Sequence, residues 1–141
     1  MNMLNFLKMR RLRDERGQSI IEFGLIVPIL LFFLLAVVEF GWILNAKITL
    51  TSAAREGARV AAVTTANRDQ RAYDAVVESL SGVSGVNVPD DADHFQIYEV
   101  EDTVNDIRNV VIEVVGEVTP IIGLYVDDPV LMSSRAVMRL E

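Results

Sequence analysis

The sequence predicts an α+β chain: a long N-terminal helix with a transmembrane segment, continuing into a small extracytoplasmic domain of a second helix and a three- to four-stranded antiparallel sheet. Three observations predict it. Residues 20–44 form an apolar run whose only charges are Glu22 and Glu39. Residues 68–80 repeat apolar positions at helical spacing, and residues 95–100, 110–118 and 130–140 carry strand signals.

Ahead of the run, Lys8, Arg10, Arg11, Arg13 and Arg16 face Asp14 and Glu15, a net charge of +3 against −7 for the whole chain. The positive-inside bias keeps such a leader cytoplasmic and sends the chain beyond the run outside. The 25 residues of the run, at about 1.5 Å rise each, outspan a hydrocarbon core of about 30 Å. A buried soluble helix is the competing reading, but a chain this short has little interior in which to surround a segment apolar on every side. A removable signal peptide fits less well, because Glu39, Phe40 and Trp42 stand where a small-residue cleavage site belongs. Trp42 reads as an interfacial anchor, with Glu39 beside it at the external interface. Pro28 frees the carbonyl of Gly24 and is expected to kink the helix.

The helix is expected to continue past the membrane to about residue 65. Ala53, Gly57 and Ala61 recur at every fourth position with Ala54, Ala58 and Ala62 beside them. This small-residue stripe permits close helix approach, either to a neighbouring subunit or to the chain's own sheet. Arg55, Glu56 and Arg59 read as a solvated face or as intersubunit charge pairs. Asn67 is positioned to cap the second helix, whose apolar face would comprise Tyr73, Val76, Val77 and Leu80. Residues 81–93 read as a loop. Thr119-Pro120 opens a short helical turn reaching Leu124, and Val130, Met132, Ala136, Met138 and Leu140 alternate along the last strand. The divisions are thus 1–17, a basic leader; 18–66, the long helix; and 67–141, the external domain.

Composition argues against several functions. From Gln18 onward the chain carries −10 of its net charge, which disfavours nucleic acid as a partner. His94 is the single histidine, and there is no cysteine. No Ser-His-Asp or Cys-His site with a second histidine and no ordinary zinc set can be assembled, and Lys47, the only lysine outside the leader, has no serine site around it. Catalytic residues, cofactors and metals are accordingly expected to be none. Asp90, Asp91 and Asp93 lack EF-hand spacing and read as a solvated loop rather than a calcium site.

Glu22 needs an explanation, because a carboxylate near the start of a membrane helix costs up to about 3 kcal/mol if it sits deep. The string Arg16-Gly17-Gln18-Ser19-Ile20-Ile21-Glu22-Phe23 resembles the processing site of prepilins in the Flp or Tad branch of the type IV pilin superfamily. The resemblance implies that a prepilin peptidase cuts between Gly17 and Gln18, and that Glu22, followed by Phe23, pairs with a freed N-terminal amine during assembly. Val27-Pro28-Ile29-Leu30-Leu31, Val38-Glu39-Phe40-Gly41 and Ala53-Ala54-Arg55-Glu56-Gly57-Ala58-Arg59 are similar to the N-terminal signature of TadE-like minor pilins, or pseudopilins. The ending Ala136-Val137-Met138-Arg139-Leu140-Glu141 is similar to the way such chains close.

Residues 64–118 carry no such likeness. The resemblance implies a pilin-like fold and a minor pilin of a bacterial Tad (Flp) secretion system, acting in pilus assembly, initiation or tip adhesion. It implies as partners the prepilin peptidase, other major and minor Tad pilins, the inner-membrane assembly platform and membrane lipid. The location would be the inner membrane, single-pass with the N-terminus cytoplasmic, with possible incorporation into an extracellular pilus. Glu39, Ala54, Arg55, Glu56, Gly57 and Arg59 would serve helix packing or assembly. The competing reading is an uncleaved, single-pass anchored module that binds a ligand outside the membrane. Glu22→Gln separates the two: it blocks assembly of a pilin and leaves such a module intact.

Overall fold

A computed structural model describes residues 3–102 and 107–140, with side chains placed for 17–101 and 107–140. The leader's basic side chains and Glu141 of the C-terminal block lie outside the described residues. The chain divides into two units, Met1–Val38 and Glu39–Glu141.

The first unit belongs to helix α1, Met3–Val63, which starts within the basic leader rather than after it. The helix passes through Pro28. From Ile20 to Val38 its apolar side chains are exposed except for half-buried Val27 and Ala36, with Ile21 at 74 % and Phe33 at 65 %. Among the described residues, one helix is long and apolar enough to cross a membrane.

The second unit is an α+β domain. It comprises the rest of α1, helix α2 (Arg68–Leu80) and strands β1 (Val86–Asn87), β2 (Phe95–Asp102), β3 (Ile107–Val118) and β4 (Val130–Arg139). All pairings are antiparallel and centre on β3. β4 covers one edge of β3 from Asn109 to Val118. The other edge is shared by β2, which pairs with 107–114, and β1, which pairs with Val118 and Glu117. β1 falls within the stretch expected to be loop. Two residues carry no alternation signal, and the pair is a strand only because β3 supplies its ladder partners.

The core lies between the helices and one face of the sheet. Leu50, Ala53, Ala54, Ala58 and Ala61 of α1 and Ala72, Val76 and Leu80 of α2 cluster with Val110, Ile112 and Val114 of β3 and Ala136 of β4. On its core face β3 buries Val110, Ile112, Val114, Gly116 and Val118, and on the other face Val111 is buried as well, with Glu113, Val115 and Glu117 half-buried. Gly116 gives Leu50 its seat, since a Cβ there would lie 3.0 Å from a Leu50 methyl.

Three local expectations are corrected. Asn67 holds the N-cap position of α2 in the left-handed region (φ 51°), and its side chain makes no capping hydrogen bond; its carbonyl instead accepts from the Arg71 N–H. In α2 the buried residues are Ala72, Val76 and Leu80, with Val77 turned outward, because burial follows a single i, i+4, i+8 line. The segment after Thr119-Pro120 forms bends and no helical turn, and its Ile121 and Ile122 amides are bound by a side chain of α1.

Candidate functional site

Two regions hold the residues singled out by the sequence. In the first unit, Gly17, Gln18, Glu22 and Phe23 all lie exposed on one continuous helix. Gln18 Nε2 donates to Glu22 Oε1 at 3.0 Å, an i, i+4 contact. Phe23 is 69 % exposed. A Cβ added at Gly17 would meet nothing within 4 Å, so a larger residue there disturbs no packing.

The second region is built around Glu39, at the start of the globular unit. Glu39 is 1 % exposed. Its Oε1 accepts the Ile121 N–H at 3.0 Å and its Oε2 the Ile122 N–H at 3.1 Å. Each carboxylate oxygen thus meets a backbone donor, as a buried anion requires. Pro120 has no N–H of its own, so the two successive amides that follow it are the first the segment offers. One helical turn on, Trp42 Nε1 donates to the Thr119 carbonyl at 3.1 Å. Its ring lies over Gly85 (φ 77°), where a Cβ would come within 3.2 Å of Cζ2. Glu39 and Trp42, read from the sequence as an interfacial acid and its neighbouring anchor, both clasp the chain's own 119–122 segment.

Further along α1, Lys47 Nζ donates to the Ser133 carbonyl. Ser134, the one buried polar residue of β4, donates to Thr51 Oγ1 at 3.2 Å. Of the Ala-Arg-Glu-Gly block, Ala54 and Gly57 face the core while Arg55, Glu56 and Arg59 face outward. A Cβ on Gly57 would stand 2.6 Å from a Val76 methyl, 3.2 Å from the Ala72 carbonyl and 3.3 Å from Ile112 Cδ1, so the small-residue stripe packs on α2 and on the chain's own sheet. Arg59 pairs with Glu56 at 2.5 Å, and its hydrogen bond holds the Glu56 carboxyl below the ordinary range.

The acidic loop is occupied by its own turn. Asp91 Oδ1 accepts from the Asp93 and His94 N–H groups at 3.0 and 2.9 Å and lies 2.6 Å from His94 Nδ1. The side-chain hydrogen bond with His94 holds the Asp91 carboxyl below its usual value. Among the described residues no group of three or more acidic, histidine or cysteine side chains is arranged to hold a metal.

The partners of Glu39, 82 and 83 positions away, carry no signal in the sequence. The only trace is the carboxylate itself in an otherwise uncharged stretch.

Residues 17–59 match the family model described as TadE-like protein. This segment is TadE-like. The match begins at Gly17 and runs through Glu22 and Glu39 to Arg59, covering every site residue named above on α1. It associates the chain with Tad pili. No curated protein and no solved structure matches the chain. The Glu39 clasp thus joins the TadE-like segment to residues 119–122, outside the matched range.

Proposed function

We propose that this chain is a minor pilin, or pseudopilin, of a Tad (Flp) system. A prepilin peptidase cuts it between Gly17 and Gln18, and it takes part in pilus assembly, initiation or tip adhesion with other Tad pilins and the inner-membrane platform. The observation that carries this reading is the TadE-like match, which opens on Gly17 and spans Glu22. In this reading the chain is structural rather than catalytic. It is held in the inner membrane by the apolar run, with its basic leader in the cytoplasm and its globular unit outside.

Glu22 supports the proposal on physical grounds. Its carboxylate stands exposed on the helix, beside Gln18. Cleavage after Gly17 would create an α-amine at Gln18, one turn away, and the same charge on a neighbouring subunit would serve as well. Two charges that are costly apart in a greasy bundle then pair and set register.

The experiment is the intact mass of the membrane-extracted protein, made with and without its cognate prepilin peptidase. A loss equal to Met1–Gly17, abolished by Gly17→Phe, is the expected result. Because position 17 is open on all sides, a failure of that variant to be cut reports on recognition and not on misfolding. An unchanged mass with an active peptidase would overturn processing and leave a single-pass anchored module.

A further inference from the structure

We propose that the segment after Thr119 is a second membrane contact: residues 120–126 dip into the outer-leaflet interface of the bilayer at the level of residues 39–44 of α1, with lipid as the occupant. The proposal rests on the membrane reading of the apolar run. It starts from an imbalance within this segment, Pro120-Ile121-Ile122-Gly123-Leu124-Tyr125-Val126, which contains no charge. Ile121 is 56 %, Ile122 37 % and Leu124 49 % exposed. Exposed isoleucines and leucines scattered singly need no explanation, but three within four residues of one loop do.

The loop's position is set by Glu39. Both carboxylate oxygens hold the amides of Ile121 and Ile122, and Trp42 holds the Thr119 carbonyl. Glu39 and Trp42 are not beyond the apolar run; the run continues to Leu44. On the same stretch of helix Phe40 is 60 % and Leu44 63 % exposed. A loop tied at Glu39 therefore lies at the level of helix residues that are themselves apolar and uncovered.

The backbone suits the role. Gly123 has φ 66°, a turn conformation that lets Ile121, Ile122 and Leu124 all be exposed around a tight reversal. Glu39 satisfies two of the segment's amides, which would otherwise be costly in a lipid environment. Exposed Asp127 and Asp128 come next and mark where the chain returns to water. Interfacial elements of this kind bury apolar side chains about 5–10 Å into the headgroup and acyl boundary. Burial of a carboxylate in the clasp is what such a contact requires, because an exposed Glu39 would hold the loop in water.

The absence of cysteine makes single-site labelling clean. The full chain would be reconstituted in phosphatidylcholine vesicles containing brominated acyl chains, with an environment-sensitive fluorophore at Leu124→Cys, Ile29→Cys or Asp74→Cys in turn. Ile29 reports the anchor and exposed Asp74 of α2 reports the aqueous face. Loss of emission at positions 29 and 124 but not at 74 is the expected result. Quenching at 29 with positions 121 and 124 both behaving like 74 would overturn the loop contact and leave the anchor standing. No quenching at 29 would overturn the membrane reading and the loop contact with it. Ile121→Cys, labelled in the same way, guards against a local fault at position 124: it should be quenched as well, and emission at both loop positions equal to that at 74 rejects the proposal.

Discussion

Replacing Glu39 by Gln keeps the size of the side chain and removes one acceptor. The amide oxygen can take one of the Ile121 and Ile122 amides, while its NH₂ faces the other, donor against donor. Leaving a buried N–H unpaired costs about 1–3 kcal/mol. Glu39→Ala abandons both amides and opens a cavity, so its cost is expected to reach about 3–5 kcal/mol. Hydrogen exchange in detergent micelles checks this directly: the Ile121 and Ile122 amides, protected in the parent chain, should exchange faster in the Glu39→Gln variant and lose protection in Glu39→Ala. Unchanged protection in both would remove the clasp. Gly57→Ala tests the other crowded position. Helix propensity favours alanine by about 1 kcal/mol, but the new methyl would stand 2.6 Å from a Val76 methyl. Overpacking of about 1–3 kcal/mol should win, giving a lower melting temperature; a rise would mean that α2 yields freely.

At the scale of elements, α2 and the turn before β2 are fastened by charge. Arg68 Nη1 meets Glu99 Oε1 at 2.5 Å, tying the start of α2 to β2, and this hydrogen bond lowers the Glu99 carboxyl. Asp91 is lowered by His94 in the same way. Both carboxylates have folded values below their unfolded ones, so their stabilising contribution is complete above the ordinary carboxylate range of about pH 4. It is lost as pH falls through the lower folded values. Thermal melts of the Asp91→Asn, Glu99→Gln double variant should therefore decline less steeply below about pH 4 than the parent, the two converging in acid. A parallel decline would mean that neither contact persists in solution. The elements themselves were largely legible. The bounds of α2 follow from Asn67 on one side and Ser81-Gly82 on the other, and β3 announces itself by its run of β-branched residues. The bend after Pro120 was not legible, because Thr-Pro is a local helix-start signal, and the clasp on Ile121 and Ile122 was not legible because Glu39 is distant in sequence. The same holds for the sites: Gly17 to Phe23 is a contiguous string, whereas Glu39 and its two amides are brought together only by the fold.

At the scale of the whole chain, every residue of the core cluster lies at Leu50 or later, and the globular unit begins at Glu39. The apolar helix before Val38 contributes none of that core. Its exposed side chains are therefore a demand for lipid or for other helices rather than a source of domain stability. A chain beginning at Ala36 keeps nearly one helical turn ahead of Glu39, and the first four N–H groups of any helix lack helical partners anyway. Such a chain should retain a cooperative unfolding transition with a midpoint close to that of the full chain in detergent. It should no longer partition with membranes as the full chain does. Glu39→Ala within the shortened chain should lower the midpoint, since both partners of the clasp are still present. A shortened chain that is unfolded would show that the anchor supports the domain. A shortened chain that folds but ignores Glu39→Ala would show that the clasp works only where the helix is held by its membrane surroundings.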